Sequence, residues 1–274
     1  MTATETATET ATETAMTTPT PMPTTTPTTT PMTTRTTVTT GTTKVTKVTK
    51  AAKGSNAAPA TAERFAQAPG DPYRYGVYLR PDPVTCAAVT AVTTQLRAQY
   101  GLVSAGAFPP HATLVGSRHV PAPAEEIVAA VTRALTDVSA FTVHNAGVRR
   151  MGVGLVYDVH HLADGITPNA AFVDLAGRVD EAVVPLEAPA PNPAQHPFDE
   201  DTFRAHLSLL SHDMYERPDL FEEVEDYVKG LPVSFSDSFS GDTVSLYRTR
   251  SDDWAGRWWH TLAWEHVHTW RLRH

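Results

Sequence analysis

Two short stretches decide how this chain reads: His111-Ala112-Thr113-Leu114-Val115 and His206-Leu207-Ser208-Leu209-Leu210. In a β-strand, residues i and i+2 point to one face and i+1 and i+3 to the other. His111 and Thr113 therefore share a face, as do His206 and Ser208. Ala112 with Leu114, and Leu207 with Leu209, point the opposite way, into a core. Each strand thus presents an imidazole beside a hydroxyl on an apolar backing. The chain has 12 histidines, and only these two have Ser or Thr two positions on.

The elements around the two strands come in the same order. A helix and a loop precede each His strand, and a helix and two strands follow it. Arg74–Arg80 alternates and ends at Pro81, which reads as a strand. Val84–Tyr100 has helical spacing at Val89, Val92 and Leu96, with Gly101 as its stop. Pro123–Leu135 reads as a helix with Glu125 and Glu126 in its first turn, where the helix dipole favours acids. Phe141–Val148 and Val153–Val159 read as strands, Ala170–Val183 as a helix, and Pro218–Val228 as an acidic helix closed by Gly230. Val233–Phe235, Thr243–Tyr247 and Leu262–Trp270 are strand candidates. The distance from His111 to Phe141 nearly matches that from His206 to Phe235. This order predicts an α+β fold of two similar lobes related by an approximate twofold, with the histidines facing one another across a cleft.

Composition narrows the class. The 274 residues carry 22 Lys+Arg against 30 Asp+Glu, a net charge of -8. The first 60 residues hold three Glu against five Lys or Arg, so the remainder carries -10. An acidic domain binds phosphate through a local site and not through a basic field, which argues against a general nucleic-acid coat. A single Cys cannot form an internal disulfide. No run of 18 apolar residues suggests a membrane span, and the N-terminus has no apolar core of a secretion signal, so a cytoplasmic location is expected. The first 50 residues contain 26 Thr and 5 Pro. Such a tract buries too little surface to offset its ordering entropy, so residues 1–60 are expected to be a disordered tail ahead of a domain at 61–274.

Two histidines facing a phosphodiester make a complete acid–base pair. One neutral imidazole takes a proton from water as it attacks phosphorus, and the other, protonated, gives a proton to the departing alkoxide. The Thr113 and Ser208 hydroxyls can donate to the non-bridging oxygens, where charge develops. No metal or other cofactor is needed for this chemistry. A cyclic phosphodiester suits it, because ring strain and a tethered leaving group lower the demand on the catalyst.

The paired H-x-[ST]-apolar segments resemble the signature of the two-histidine (2H) phosphoesterase superfamily, which includes the LigT-like 2′-5′ RNA ligases and the cyclic phosphodiesterases. Tyr75–Pro81 followed by a helix, Pro110 before the first His, and the closing strand at Leu262–Trp270 extend the resemblance over about residues 73–272. It implies a bilobal LigT-like fold with two antiparallel sheets flanking a central cleft and helices outside. It implies acid–base roles for His111 and His206 and phosphate binding by Thr113 and Ser208. The implied activity is hydrolysis of a 2′,3′-cyclic nucleotide or an ADP-ribose 1″,2″-cyclic phosphate. The alternatives are a 2′-5′ RNA ligase or RNA-end phosphodiesterase, and a catalytically silent binder of phosphorylated nucleotide ends. The implied partner is a small nucleotide-like substrate or an RNA end. Cyclic phosphodiesterases often carry an aromatic shortly after the second motif, where this chain has Ser211 and His212.

Further candidates surround this core reading. Tyr78 and Arg80 on the first strand, and Tyr247 before Arg248 and Arg250, are candidate substrate contacts. They offer an aromatic surface for a base and a cation for phosphate. His266 and His268 could ligate a metal from one strand face, but no third and fourth ligand stand at fixed spacing. His160 and His161 read as loop residues at a strand end. The five tryptophans from Trp254 to Trp270 read first as packing and second as base-stacking surface. Glu222, Glu223, Glu225 and Asp226 read as a solvated helix face. Cys86 reads as an inert thiol, and the Pro-rich stretch Glu187–Pro197 as a lid or plain surface.

Overall fold

In the computed structural model, which describes residues 73–188, 198–254 and 256–274, the alternating stretch at the start forms β1 (Tyr73–Leu79). The expected tail at 1–60, and all but the first two residues of the Pro-rich stretch Glu187–Pro197, lie outside the described residues.

Helix α1 (Pro83–Tyr100) starts and stops where local chemistry dictates. The Asp82 side chain accepts from the Thr85 N–H at 2.8 Å, and Pro83 takes the first helical position, where no N–H is needed. Gly101 ends the helix with φ 73°, and its N–H returns to the Arg97 carbonyl. Strand β2 (Ala112–Arg118), helix α2 (Ala124–Ala134) and strands β3 (Phe141–His144), β4 (Val148–Met151) and β5 (Gly154–Asp158) follow. Then come α3 (Ala170–Val183), β6 (His206–Leu210), α4 (Phe221–Gly230), β7 (Ser238–Gly241), β8 (Thr243–Arg250) and β9 (Ala263–Arg271).

Seven strands lie in the order β4-β5-β6-β2-β1-β8-β9, every neighbouring pair antiparallel. Strands β3 and β7 pair separately. The order is palindromic about the β6/β2 junction. β6 answers β2, β5 answers β1, β4 answers β8, and the β3–β7 pair maps onto itself. Strand β9 alone lies outside the symmetry. The expected twofold therefore runs between the two His strands, and the two halves of the sheet are joined there by one registered pair, Ala112 with Leu207. The mixed α+β architecture expected from the motifs is observed, its two antiparallel halves joined at the β6/β2 pair into one seven-stranded sheet beside the small β3–β7 sheet.

The apolar sides of β2 and β6 carry the core. Ala112, Leu114, Leu207 and Leu209 are all buried, and α3 packs on β2 as α1 packs on β6. Each of these leucines withdrawn from water stabilises the fold by about 1.5–3 kcal/mol, which holds the other face of the strands in place. A buried ion network adds a second tie: Arg118 at the end of β2 meets Asp180 of α3 at 2.8 Å and Glu187 at 3.0 Å.

The structure moves some boundaries. The expected strand at 141–148 is two strands, broken at Asn145 and at Gly147, whose φ is 91°. Val233–Phe235 is not a strand. The partner of β3 is instead Ser238–Gly241, a polar segment in which only Phe239 and Gly241 are buried. Phe235 uses its ring against Tyr157, so its apolar character reports packing and not extended pairing. No described helix is long and apolar enough to cross a membrane.

Candidate active site

The junction pair builds the site. With Ala112 opposite Leu207, the antiparallel register sets His111 across from Ser208 and Thr113 across from His206. All four side chains then share the face opposite the core. Burial agrees: along both strands the His and hydroxyl positions are half-buried and the residues between them are buried. The two imidazole–hydroxyl pairs expected from sequence are thus brought together at the pseudo-twofold.

Both imidazoles are held alike. Nδ1 of His111 lies 2.7 Å from the Pro109 carbonyl, and Nδ1 of His206 lies 2.7 Å from the Arg204 carbonyl. A carbonyl only accepts, so each Nδ1 carries the hydrogen and each Nε2 is left to exchange protons. Burial pushes the His111 imidazole down to about 4, against the opposing pull of the Pro109 carbonyl, and repulsion from His206 adds to the depression. Burial also lowers His206, with the Arg204 carbonyl and the Asp158 carboxylate acting in the other direction. Neither the Thr113 nor the Ser208 hydroxyl has a hydrogen-bond partner among the described residues. Both are left to donate to a ligand.

The three candidate substrate contacts gather on the His111 side. Tyr78 pairs with Thr113 in register and meets the His111 ring edge-on at 4.6 Å. Its phenol is pushed up to about 12, burial being the main cause. The ring lies back over Gly76, where a Cβ would collide with the Tyr78 hydroxyl. Arg80 follows β1, its N–H on the Thr243 carbonyl at 2.9 Å, and makes no ion pair among the described residues. Tyr247 on β8 pairs with Gly76, its ring 6.0 Å from Tyr78. Tyr78 and Tyr247 are themselves buried, so they form a wall and not an open stacking surface.

Sequence reasoning missed Phe108 and Asp158, and read Trp264 only as one of five tryptophans that pack or, second, stack on a base. Phe108 lies 4.8 Å from His111, 5.2 Å from Tyr78 and 5.1 Å from Tyr247, and Trp264 stands 6.0 Å beyond it. Trp264 is 44% exposed and supplies the open aromatic face. The loop that carries Phe108 is pinned by Asp213, which accepts the Val103 and Ser104 N–H groups at 3.0 and 2.7 Å. Phe108 followed by Pro109-Pro110-His111 was the available signal: a prolyl-stiffened loop leading into the first His strand. Asp158 pairs in register with His206.

Other candidates separate from the site. His266 and His268 do not share a face. Strand β9 bulges at Val267, so His266 sits opposite Tyr247 and His268 opposite Leu246. His266 reaches Thr269 and His268 packs against Trp270, and no group of three or more metal-ligating side chains occurs among the described residues. His161 bonds Asp158 at 2.7 Å. Trp259 and Trp270 are packing residues, and the Cys86 thiol is raised by burial. Ser211 and His212, where an aromatic was expected by resemblance, pair with one another at 2.7 Å, and His212 packs on Trp258 and Trp259.

The profile of the family described as the 2′-5′ RNA ligase superfamily matches residues 81–253, well over half of the chain. Escherichia coli LigT, solved with 3′-AMP, is similar at 16% identity and a TM-score of 0.44, covering 74% of this chain and 100% of that one. The TT0787 protein of Thermus thermophilus is similar at 14% identity and 0.46, covering 73% and 98%. Usb1 of Kluyveromyces marxianus is similar at 12% and 0.35, covering 73% and 100%. A search of curated proteins finds no match. On the family-profile match, which spans both the His-x-Thr and the His-x-Ser strand, the chain belongs to the 2′-5′ RNA ligase superfamily of two-histidine phosphoesterases.

Proposed function

We propose that this protein hydrolyses a cyclic phosphodiester on a small nucleotide, without a metal, using His111 and His206 as the proton-transfer pair. The observation that carries the reading is the Ala112–Leu207 register, which aligns two imidazoles and two unpartnered hydroxyls on one face. One Nε2 withdraws a proton from the attacking water while the other supplies one to the ester oxygen that leaves. Thr113 and Ser208 donate to the non-bridging oxygens and stabilise the charge that builds there. The wall of Phe108, Tyr247 and Trp264 gives a base somewhere to rest beside the phosphate, and Arg80 supplies an uncommitted cation at that end. The acidic balance of the domain favours a nucleotide over a long polymer.

The test is turnover of 2′,3′-cyclic nucleotides and ADP-ribose 1″,2″-cyclic phosphate, followed by phosphorus NMR with a chelator present. Conversion to phosphomonoester at an undiminished rate in chelator is expected. Loss of turnover in chelator removes the metal-free mechanism. Binding of these compounds without turnover makes the protein a binding module, and activity confined to cyclic-phosphate-ended RNA moves the substrate to RNA ends.

A further inference from the structure

The two histidines are related by the pseudo-twofold, but their surroundings are not. Strand β5 stands to β6 as β1 stands to β2, so each histidine has a cross-strand neighbour on an equivalent strand. For His206 that neighbour is Asp158, registered directly opposite it. For His111 the equivalent position, one beyond the Leu79–Ala112 pair, is Arg80. The symmetry thus places an acid beside one imidazole and a cation beside the other.

Asp158 is fixed in that role. It is 4% exposed, and its Oδ2 accepts from Arg149 Nε on β4 at 2.8 Å and from His161 Nδ1 at 2.7 Å. Its Oδ1 accepts the His160 N–H at 2.9 Å. These contacts anchor the carboxylate in place beside His206. The groups around His206 are then Asp158 from β5, Arg149 behind it on β4, His161 past the strand end, the Arg204 carbonyl on its own chain, and His111 across the junction. The groups around His111 are Tyr78 and Arg80 from β1, Phe108 from the preceding loop, Tyr247 from β8, and His206. The second set contains aromatic rings and a cation but no carboxylate. Where two titratable groups sit in environments that pull them apart, the environments assign their roles.

We propose that Asp158 is the positioning residue that keeps the proton on His206, making His206 the general acid and His111 the general base. This rests on the hydrolase reading above and deepens it. In the reaction, His111 Nε2 takes a proton from water as its oxygen bonds to phosphorus. The bond from phosphorus to the ester oxygen breaks, and His206 Nε2–H protonates that oxygen. The cycle closes when His111 releases its proton to solvent and His206 takes one up. Burial lowers both imidazoles, but at His206 the Arg204 carbonyl and Asp158 both oppose it, whereas at His111 only the Pro109 carbonyl does and His206 adds to the depression.

The test compares His111→Ala, His206→Ala and Asp158→Asn on two substrates: a 2′,3′-cyclic nucleotide, and a p-nitrophenyl ester of a nucleoside 3′-phosphate, whose phenolate leaves without a proton. Removing the acid is then costly only for the cyclic substrate, by about 10²-fold or more, and costs the aryl ester less than about 10-fold. Removing the base is costly for both. Asp158→Asn lowers the alkaline limb of the pH–kcat/KM profile by about one unit and leaves the acidic limb in place, a shift that a folding defect does not produce. Aryl-ester activity retained by His111→Ala and lost by His206→Ala reverses the assignment. Equal losses in the two variants, or an unmoved alkaline limb in Asp158→Asn, also overturn it. In each of those cases the hydrolase reading stands, whereas a wild-type protein that cleaves neither substrate removes the reading itself.

Discussion

Protonating His111 is a perturbation whose cost can be worked from the structure. Its imidazole is pushed from the ordinary 6.5 down to about 4 in the folded protein, chiefly by burial against Tyr78 and Phe108. The unfolded chain therefore binds a proton more readily than the folded one between those values. Stability linked to this group is fully present above the unfolded value and is lost as pH falls toward the folded one. A shift of about 2.5 units corresponds to about 3 kcal/mol, an upper bound because the ring is only half-buried and solvent screens part of it. His111→Gln removes the titration and keeps an amide N–H that can reach the Pro109 carbonyl. Urea unfolding of both proteins from about pH 7 to about pH 4 isolates the effect, since every other titrating group is shared. The wild type is expected to lose about 2–3 kcal/mol more than His111→Gln over that range, with about one extra proton taken up on unfolding. Parallel stability curves would refute the reasoning, because they would mean that the folded site accommodates an imidazolium as easily as water does. The same depression keeps Nε2 of His111 unprotonated at neutral pH, which is the state a general base needs.

The remaining expectations concern the scaffold around the pair. Gly76→Ala forces the Tyr78 ring off its place beside His111, and should cost about 1–3 kcal/mol in thermal or denaturant unfolding while lowering kcat. Phe108→Ala opens the aromatic wall and should raise KM with a smaller effect on kcat, measured by steady-state kinetics. Replacing Thr113 with Val or Ser208 with Ala removes a donor to the phosphate oxygens and should lower kcat by about 10²-fold, with the melting temperature nearly unchanged. Arg118→Ala leaves Asp180 and Glu187 buried without their cation and should cost about 3–5 kcal/mol in denaturant unfolding.

The legible part of the molecule was the part set by local chemistry. Strand alternation at His111–Val115 and His206–Leu210 revealed the shared faces, because a two-residue period admits only one way to bury Ala112, Leu114, Leu207 and Leu209. Apolar spacing and the stop at Gly101 marked α1, and Ala170–Val183 was bounded by its own apolar spacing, while the Asp82 cap showed only in the structure. What stayed hidden depends on contacts between distant segments. Strand β7 is polar and owes its conformation to pairing with β3, whereas Phe235 mimicked a strand residue while packing on Tyr157. The bulge at Val267, which parts His266 from His268, exists only against β8. Asp158 carried no motif. Its place opposite His206 follows from the β5–β6 register and from Arg149 and His161 closing on it.

The central claim is that the two histidines work as one acid–base unit, and a double-mutant cycle tests it most directly. kcat/KM for a 2′,3′-cyclic nucleotide is measured for the wild type, His111→Ala, His206→Ala and the double variant, with folding checked for each. If the pair acts as a unit, each single change costs about 10³-fold or more and the second adds little to the first. Losses that multiply, or a single variant that keeps most of the wild-type rate, would contradict the account.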